Sequence, residues 1–322
     1  MAGRKILITG GGGFLGVAVA KRLLTRKPDE EIILTDIVAH PRLRSLKGKV
    51  CFVQADLGDP SVCASLVTPE VGTVFHFASL VSGGAEKDFA AGLRANVHAT
   101  MHLLEACRLA GGRPRFVFTS SIATFGGVRL PESVDDWTFQ HPENSYGAAK
   151  VLGEQLLNDY TRKGYLDGRG IRLPAIVVRD EPNTAVTGYL SALVRETVAG
   201  RDYICPVPPE TRIPILSAKQ CTSVLVALAD LPEGAYHDFR TINGPSLSPT
   251  AGEIAAAIRA TSLPVLGRIE FAAEPAAAVM LASWPREMRS ERALALGLRA
   301  DSSIAAIVSD YIQETGFSAS LR

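Results

Sequence analysis

The sequence predicts an α/β fold, a doubly wound parallel Rossmann sheet with a smaller C-terminal lobe. Short apolar runs alternate with amphipathic helical segments over the first half of the chain, the pattern of a parallel sheet covered by helices on both faces. The first apolar run leads directly into a glycine-rich turn that opens a helix. A tyrosine and a lysine, Tyr146 and Lys150, stand four residues apart on a later predicted helix.

The predicted strands occupy the first part of the chain: Lys5–Thr9, Ile32–Thr35, Cys51–Gln54, Thr73–Phe77, Arg115–Thr119 and Arg172–Val178. Amphipathic helices are predicted between them, near 14–26, 60–68, 87–110 and 144–163. Beyond about residue 180 prolines cluster, and helices are predicted near 187–199, 217–229, 249–260 and 302–313. The alanine-rich stretch 272–282 is interpreted as helix or loop. We therefore predict a nucleotide-binding Rossmann domain over 1–180 and a mainly substrate-binding lobe over 181–322, its segments interleaved with the sheet.

Composition excludes several classes of protein. The 322 residues are 47% hydrophobic and 21% charged with a net charge of +1, which is typical of a globular enzyme and gives no indication of nucleic-acid binding. No apolar run is long enough to predict a membrane span, and no leader precedes the first strand, so we expect a cytoplasmic protein. The five scattered cysteines predict reduced thiols. His98 and His102 lack a third ligand, and no metal site is predicted.

The glycine-rich turn predicts a dinucleotide pyrophosphate site. Gly10 permits the tight turn, Gly13 lets the backbone approach the phosphates, and Gly16 lets helix and strand pack closely. Phe14 and Leu15 lie at the helix N-terminus, where free N–H groups and partial positive charge favour an anion.

Two acidic residues predict how the adenosine half would be held. Asp36 ends the second strand about 20 residues past the glycines, where an acid accepts from the ribose hydroxyls and repels a 2′-phosphate, so NAD is favoured over NADP. Arg42 and Arg44 follow closely and can soften that preference. Asp56, followed by Leu57, either accepts from the adenine amino group or only begins a turn.

Three side chains predict hydride-transfer chemistry. Tyr146 would take the substrate hydroxyl proton as hydride leaves for the nicotinamide. Lys150, on the same helix face, would favour the phenolate and bind the nicotinamide ribose. Ser121, at the end of the fifth strand, would orient the reacting oxygen.

These motifs together resemble the extended short-chain dehydrogenase/reductase family, which includes epimerases of nucleoside-diphosphate sugars. The resemblance covers essentially the whole chain and is carried by the glycine turn, Asp56-Leu57, His76-x-Ala78, Thr119-Ser120-Ser121 and Tyr146-x-x-x-Lys150. It implies a seven-stranded sheet, Ala78 beside the cofactor, and a homodimer built on a four-helix bundle from the helices near 87–110 and 144–163.

A closer resemblance is to the D-erythronate dehydrogenase subgroup, carried among others by the segments 81–86, 119–126 and 172–174. It implies NAD-dependent oxidation of a secondary hydroxyl on a small 2-hydroxy acid. It also implies Ser82 and Gly83 near the substrate and Leu173 and Ala175 near the nicotinamide. The chain departs from the subgroup at Ala175, where a threonine is typical, and in the acidic run that follows Arg179.

These departures are also compatible with a neutral substrate that differs from erythronate. Arg179 and Arg212 are candidate clamps for a substrate carboxylate, because a planar guanidinium matches a carboxylate. Surface or ion-paired arginines are at least as good an explanation of the two residues. Two other functions also remain open. A nucleoside-diphosphate-sugar 4-epimerase would use the same catalytic residues with tightly bound NAD. A non-enzymatic NAD sensor would not need them.

Overall fold

The computed structural model describes residues 5–178, 187–236, 238–275 and 284–317. The strands of these segments are β1 Lys5–Thr9, β2 Ile32–Asp36, β3 Val50–Gln54, β4 Val71–His76, β5 Arg115–Ser121, β6 Ser133–Val134, β7 Asp167–Leu173, β8 Ala175–Val177, β9 Tyr203–Cys205, β10 Ile215–Ser217, β11 Thr241–Asn243, β12 Ile269–Phe271 and β13 Glu287–Met288.

The helices of the described segments are α1 Phe14–Arg26, α2 Pro60–Leu66, α3 Ser82–Lys87, α4 Phe89–Leu93, α5 Ala99–Ala110, α6 Ser145–Arg162, α7 Gly188–Val198, α8 Ala218–Asp230, α9 Ala251–Arg259, α10 Glu291–Ala295 and α11 Ile304–Thr315. Short 3-10 helices lie at Pro41–Ser45 and Ile122–Thr124. A π-helical segment, Arg94–His98, joins α4 to α5.

A seven-stranded parallel sheet in the order β11-β7-β5-β4-β1-β2-β3 dominates the fold. This order reverses direction between β1 and β4, which is the crevice where α/β sheets bind ligands at the carboxyl ends of their strands. The central strand β1 is completely covered, with Ile6, Leu7 and Ile8 each at most 2% exposed. The predicted doubly wound sheet is therefore confirmed.

The described chain forms two compact units. The first comprises Met1–Thr124, Asn144–Arg172 and Thr222–Ile242, and it contains the sheet. The second comprises Phe125–Glu143, Leu173–Cys221 and Asn243–Arg322, and it contains the parallel two-stranded pairs β8–β10, β9–β12 and β6–β13.

The predicted strand 172–178 was wrong in its limits. The sheet strand β7 begins at Asp167, and its continuation β8 belongs to a separate pair with β10. Pro174 explains the break, because proline has no N–H to donate to a ladder. The start was missed because Gly168, Arg169 and Gly170 suggest a loop. Arg169 is instead buried, and its guanidinium bonds Asp167 and the last carbonyls of α8.

Other predicted elements agree more closely. The helix predicted over 87–110 exists but is interrupted by the π-helical segment, and the helices predicted near 14–26 and 144–163 are α1 and α6. The alanine-rich stretch 272–282 lies largely outside the described residues. Within the described segments, no helix combines the length and apolarity that crossing a membrane requires.

Candidate active site

The glycine-rich turn is packed so tightly that it accepts no side chains at two positions. Gly10 has φ +64°, and a Cβ there would lie 2.7 Å from the backbone of Phe77 and Ala78. A Cβ on Gly16 would lie 2.4 Å from the Gly10 carbonyl oxygen. The Gly13 amide donates to the same carbonyl at 3.0 Å, which closes the turn. The loop is thereby fixed against the end of β4.

Helix α1 begins without a side-chain cap and without an acidic residue in its first turn. Asn144, Thr250 and Ser303 cap helices α6, α9 and α11 by accepting a backbone N–H. The first amides of α1, at Phe14 and Leu15, therefore remain as donors for an anion. The predicted pyrophosphate of a dinucleotide fits this helix end.

Asp36 is held next to the glycine turn. Its Oδ2 accepts from the Gly12 amide at 3.0 Å, and a Cβ on Gly12 would lie 2.9 Å from the Val38 carbonyl oxygen. This bond fixes a carboxylate at the end of β2, beside the phosphate-binding turn, which is the arrangement that a ribose diol requires.

Asp56 is paired with an arginine that sequence analysis missed. Its Oδ2 accepts from Arg94 Nε at 3.1 Å and Nη2 at 2.9 Å, while Oδ1 accepts from the Gly58 amide at 2.8 Å. The Gly58 amide and Arg94 lower the pKa of this carboxyl, so it is ionised at neutral pH. Leu57 is buried in the core beneath it. An adenine amino group would meet a carboxylate that is already fixed.

A directional hydrogen-bond chain anchors the end of β4. Ala78 N donates to Thr9 Oγ1 at 3.2 Å, and Thr9 Oγ1 lies 2.7 Å from His76 Nδ1. His76 Nε2 lies 2.9 Å from Thr100 Oγ1, whose proton goes to the Asn96 carbonyl. The imidazole therefore carries its proton on Nε2 and is neutral, since burial lowers the pKa of His76 to about 3.

Asn96, in the π-helical segment, holds the loop that follows β4. Its Oδ1 accepts from Ser79 Oγ at 2.9 Å and from Leu80 N at 2.7 Å, and its Nδ2 donates to the Leu80 carbonyl at 2.9 Å. This loop leads directly to Ser82 and Gly83 at the start of α3, where both are half-buried. π-helical turns occur often at functional sites, and here one orients the amide that shapes the predicted substrate loop.

Tyr146 and Lys150 lie on the first turns of α6. Tyr146 is half-buried, whereas Lys150 is only 3% exposed. The Lys150 Nζ lies 5.4 Å from the Tyr146 ring centroid and 5.0 Å from the Phe118 ring centroid. The described residues give this ammonium no hydrogen bond and no ion pair. Burial lowers the pKa of Lys150 to about 8, and the Glu154 carboxylate opposes that shift.

Ser121 ends β5 at the same edge of the sheet. Its Oγ accepts from the Ala123 amide at 3.1 Å, which orients the hydroxyl and leaves its proton for another acceptor. Helix α6 packs against β5 and the 3-10 turn that follows Ser121. The first unit thus brings the glycine turn, Asp36, Ser121, Tyr146 and Lys150 to the elements around one sheet edge.

Similarity to known proteins identifies the family of this chain. The model of the family described as NAD dependent epimerase/dehydratase family matches residues 6–229. The chain belongs to this family. It is therefore an oxidoreductase of the extended short-chain dehydrogenase/reductase type that uses a nicotinamide cofactor, as the sequence motifs predicted.

Two curated relatives match over nearly the full length of this family member. D-erythronate dehydrogenase of Cupriavidus necator is 40% identical, with 97% of this chain and 98% of the relative covered. D-erythronate dehydrogenase of Haemophilus influenzae is 35% identical, with 96% and 99% covered. A solved structure, described as the nucleoside-diphosphate-sugar epimerase from Agrobacterium tumefaciens, has a TM-score of 0.89 and 34% identity, covering 98% of this chain and 95% of that one.

The remaining predicted site residues belong to the second unit or lie outside the described residues. Leu173 and Ala175 flank Pro174, and both are buried. The Arg212 guanidinium bonds the Ser248 carbonyl and lies 3.8 Å from the Glu253 carboxylate. Arg179 lies outside the described residues. The described residues hold no cluster of histidines, cysteines and acids suited to a metal ion.

Several residues of the site carried no usable signal in the sequence. His76 belongs to the predicted strand end and to the His76-x-Ala78 motif, and Thr9 precedes the glycine motif, but neither spacing predicts their hydrogen bond; Asn96 lies within the helix predicted over 87–110 with no signal of its own. Glu154 stands four residues beyond Lys150, so a repeat of the Tyr146–Lys150 spacing was the one signal that could have drawn attention to it.

Proposed function

We propose that this protein is an NAD-dependent dehydrogenase that oxidises a secondary hydroxyl on a small polyhydroxy 2-hydroxy acid, resembling D-erythronate. The observation that carries the proposal is the buried Lys150 ammonium beside Tyr146, a group that is dehydrated, positively charged and without an acceptor among the described residues. The names of the two curated relatives support the substrate class.

The proposed chemistry divides between three side chains. The Ser121 hydroxyl donates to the substrate oxygen and fixes the carbinol between Tyr146 and the cofactor. The Tyr146 phenolate takes the hydroxyl proton, and the Lys150 ammonium favours that phenolate by its charge. The bound nicotinamide supplies the hydride acceptor.

Cofactor selection is proposed to depend on Asp36. The carboxylate is fixed by the Gly12 amide, so it cannot easily turn away from a 2′-phosphate. Repulsion between the two anions favours NAD over NADP. We propose that Gly10, Gly13, Phe14, Leu15 and Gly16 bind the pyrophosphate, with Asp56, Leu57, Ala78, Leu173 and Ala175 along the rest of the cofactor.

A substrate carboxylate needs a cation. We propose Arg179 and Arg212 as candidates for this cation, and Ser82 and Gly83 as further substrate-binding residues. Arg212 already bonds a carbonyl and approaches Glu253, so recruiting it would cost those contacts. Arg179→Met and Arg212→Met separate the two, because loss of the clamp raises KM for a hydroxy acid and leaves KM for a neutral polyol unchanged.

A nucleoside-diphosphate-sugar 4-epimerase is the alternative, favoured by the description of the 34% identical structure. An epimerase returns the hydride to its product and produces no net NADH. Incubation with NAD and four-carbon hydroxy acids, and in parallel with nucleotide sugars, distinguishes the two. Net NADH with a hydroxy acid supports the proposal, whereas conversion of a nucleotide sugar without net NADH supports the alternative.

A further inference from the structure

A buried ionic cluster lies directly behind the catalytic pair. Glu154 is completely buried, and Arg172 and Ser120 are each 2% exposed. Arg172 Nη2 donates to Glu154 Oε2 at 2.8 Å, and its Nε donates to both carboxylate oxygens at 3.1 and 3.2 Å. The Ser120 hydroxyl donates to Glu154 Oε1. The carboxylate is therefore saturated by charged and neutral donors from two strands, β5 and β7.

This cluster touches both halves of the catalytic arrangement. Ser120 immediately precedes Ser121, and Glu154 lies one helical turn after Lys150 on the buried face of α6. A Cβ on Gly153 would lie 2.5 Å from the Phe118 ring, so only glycine lets α6 approach β5 this closely. The same ring lies under the Lys150 ammonium. Glu154 is thus the acidic residue that is nearest to Lys150 along the chain, and it lies on the same face of α6.

The charges of Lys150, Arg172 and Glu154 show why the position of the Glu154 carboxylate matters. The cluster and Lys150 together contain two cations, Lys150 and Arg172, and one anion. An unpaired ammonium buried in a protein loses its proton readily, because desolvation disfavours the charged form. Removing the carboxylate would take away the anion that offsets the desolvation of Lys150 and that binds the Arg172 guanidinium.

We propose that the Glu154–Arg172 pair is a positioning device for the catalytic site, in which Glu154 keeps the neighbouring Lys150 in its ammonium form while its bond to Ser120 fixes the end of β5. This inference rests on the proposed role of Lys150. It adds that the charge of Lys150 is maintained by Glu154, a residue that touches neither substrate nor cofactor.

The groups around Lys150 leave Glu154 as the principal source of this effect. His76, from β4, is neutral at functional pH and contributes no charge. Glu86, from α3, is engaged by the Ser145 amide at the start of α6. Arg94 and Glu105, on the helical elements packed against α6, are paired with Asp56 and Arg108. Tyr146 is the acid–base group that Lys150 itself influences.

Titration of the Lys150 side chain in the cofactor-free protein tests the proposal without using activity. Lysine labelled with 13C at Cε gives one NMR signal per residue, and Lys150→Arg assigns the signal of Lys150. In wild type, burial lowers the pKa of Lys150 to about 8. Glu154→Gln is expected to move its titration to lower pH by about one pH unit or more, the usual effect of losing a nearby opposite charge.

Arg172→Met is the matched variant, because it removes the cation and keeps the carboxylate. The negative charge of Glu154, still bonded by Ser120, is then no longer offset by the Arg172 guanidinium, so the Lys150 titration is expected to move to higher pH. General disruption of the cluster would instead move the titration midpoint of Lys150 in the same direction in both variants. Ser120→Ala, which removes a hydrogen bond and no charge, is expected to leave the midpoint within about 0.3 pH units of wild type.

The outcomes separate this inference from the proposed function. Opposite shifts in Glu154→Gln and Arg172→Met support it even if no hydroxy acid is oxidised. An unchanged midpoint in either folded variant, or shifts of the same sign, would overturn it. If Glu154→Gln does not fold, Arg172→Met decides alone. Where activity is measurable, the alkaline loss of kcat in Glu154→Gln should follow the shifted midpoint, while KM for the substrate stays constant.

Discussion

The Lys150 ammonium is buried, and the rings of Tyr146 and Phe118 flank it. Burial lowers its pKa to about 8, close to neutral pH. Such a buried ammonium is stabilised most by a ligand whose hydroxyl groups accept its hydrogen bonds, as those of a nicotinamide ribose do. The side chain is thus prepared for a ligand, because its charge has no acceptor among the residues that the structure describes. At the residue scale, this burial without an acceptor is the feature that supports the proposed catalytic role of Lys150.

Tyr146→Phe removes the proton acceptor and keeps the ring over which Lys150 lies. We expect kcat to fall by roughly 10²- to 10⁴-fold, the usual contribution of general acid–base catalysis, while the cofactor binds within about threefold of wild type. Initial rates and fluorescence titration with NADH provide the two measurements. A variant that retains more than about a tenth of wild-type kcat would remove Tyr146 from the proton-transfer step.

Asp36→Ala removes the carboxylate that the Gly12 amide fixes. Loss of the ribose hydrogen bonds weakens NAD binding, and loss of the anion relieves repulsion of a 2′-phosphate. We expect the NAD/NADP ratio of kcat/KM to fall by about tenfold or more, corresponding to roughly 1.4 kcal/mol. Asp56→Ala is the matched control, because it removes another strand-end carboxylate without changing the preference. An unchanged ratio in Asp36→Ala would contradict the assignment.

The residues proposed to act directly have a signal in the sequence, since Tyr146, Lys150 and the glycines occur at spacings that their chemistry requires. Residues that act through others do not. Nothing in the sequence pairs Asp56 with Arg94 or Glu154 with Arg172, because each pair joins positions far apart in the chain. A buried charge becomes recognisable only when the strand that supplies its partner is known.

At the scale of elements, the approach of α6 to β5 determines the positions of the proposed catalytic side chains. Gly153→Ala adds a methyl group 2.5 Å from the Phe118 ring, so either the helix or the ring must move. We expect a loss of about 1–3 kcal/mol in the free energy of unfolding, despite the better helix propensity of alanine. Urea denaturation of this variant and of Ala148→Gly, an exposed position on the same helix, separates packing from propensity.

That prediction has a kinetic counterpart. A displaced α6 moves Tyr146 and Lys150 relative to Ser121, so kcat in Gly153→Ala should fall by more than tenfold while Ala148→Gly stays near wild type. A Gly153→Ala protein with normal stability and normal kcat would show that the close approach is not needed.

The neutral His76 that joins β1, β4 and α5 makes stability dependent on pH. Its folded pKa of about 3 lies below the value in the unfolded chain, so the unfolded state binds more protons as pH falls from about 6.5. Stability from this group is therefore complete above about pH 6.5 and decreases towards pH 3, by roughly 2 kcal/mol at pH 5.

His76→Gln retains hydrogen-bonding capacity without that titration. We expect the free energy of unfolding in urea to fall between pH 7 and pH 5 by roughly 2 kcal/mol less in this variant than in wild type. Parallel pH slopes for the two proteins would mean that His76 is not buried in its neutral form.

Elements were predictable where periodicity is strong and length is sufficient, as for β1, α1 and α6. The short strand β11 and the π-helical segment were not, because three residues carry no period and a π turn has no pattern of its own. The misplaced start of β7 has a related cause: its Gly168 and Gly170 are required by the close contacts of Thr161 and Thr241, not by a loop.

At the scale of the whole molecule, we propose a homodimer formed through α4, α5 and α6. These helices carry the exposed apolar residues Phe89, Met101, Leu109 and Leu152. Each of them is between 41% and 67% exposed to solvent. Exposed apolar side chains concentrated on neighbouring helices indicate a contact surface. Met101→Glu with Leu152→Glu should convert the protein to a monomer in light scattering at micromolar concentration. Val128→Glu, at another exposed apolar position, is the control, and a monomeric wild type would contradict the proposal.

Tyr146 and Lys150 are proposed to serve a net oxidation of a hydroxy acid. The most direct test is the absorbance of NADH during incubation of the purified protein with NAD and D-erythronate, accompanied by related four-carbon acids and by nucleotide sugars. We predict stoichiometric NADH with a four-carbon hydroxy acid in wild type and none in Tyr146→Phe. Absence of NADH with every acid, together with conversion of a nucleotide sugar without net NADH, would contradict the claim.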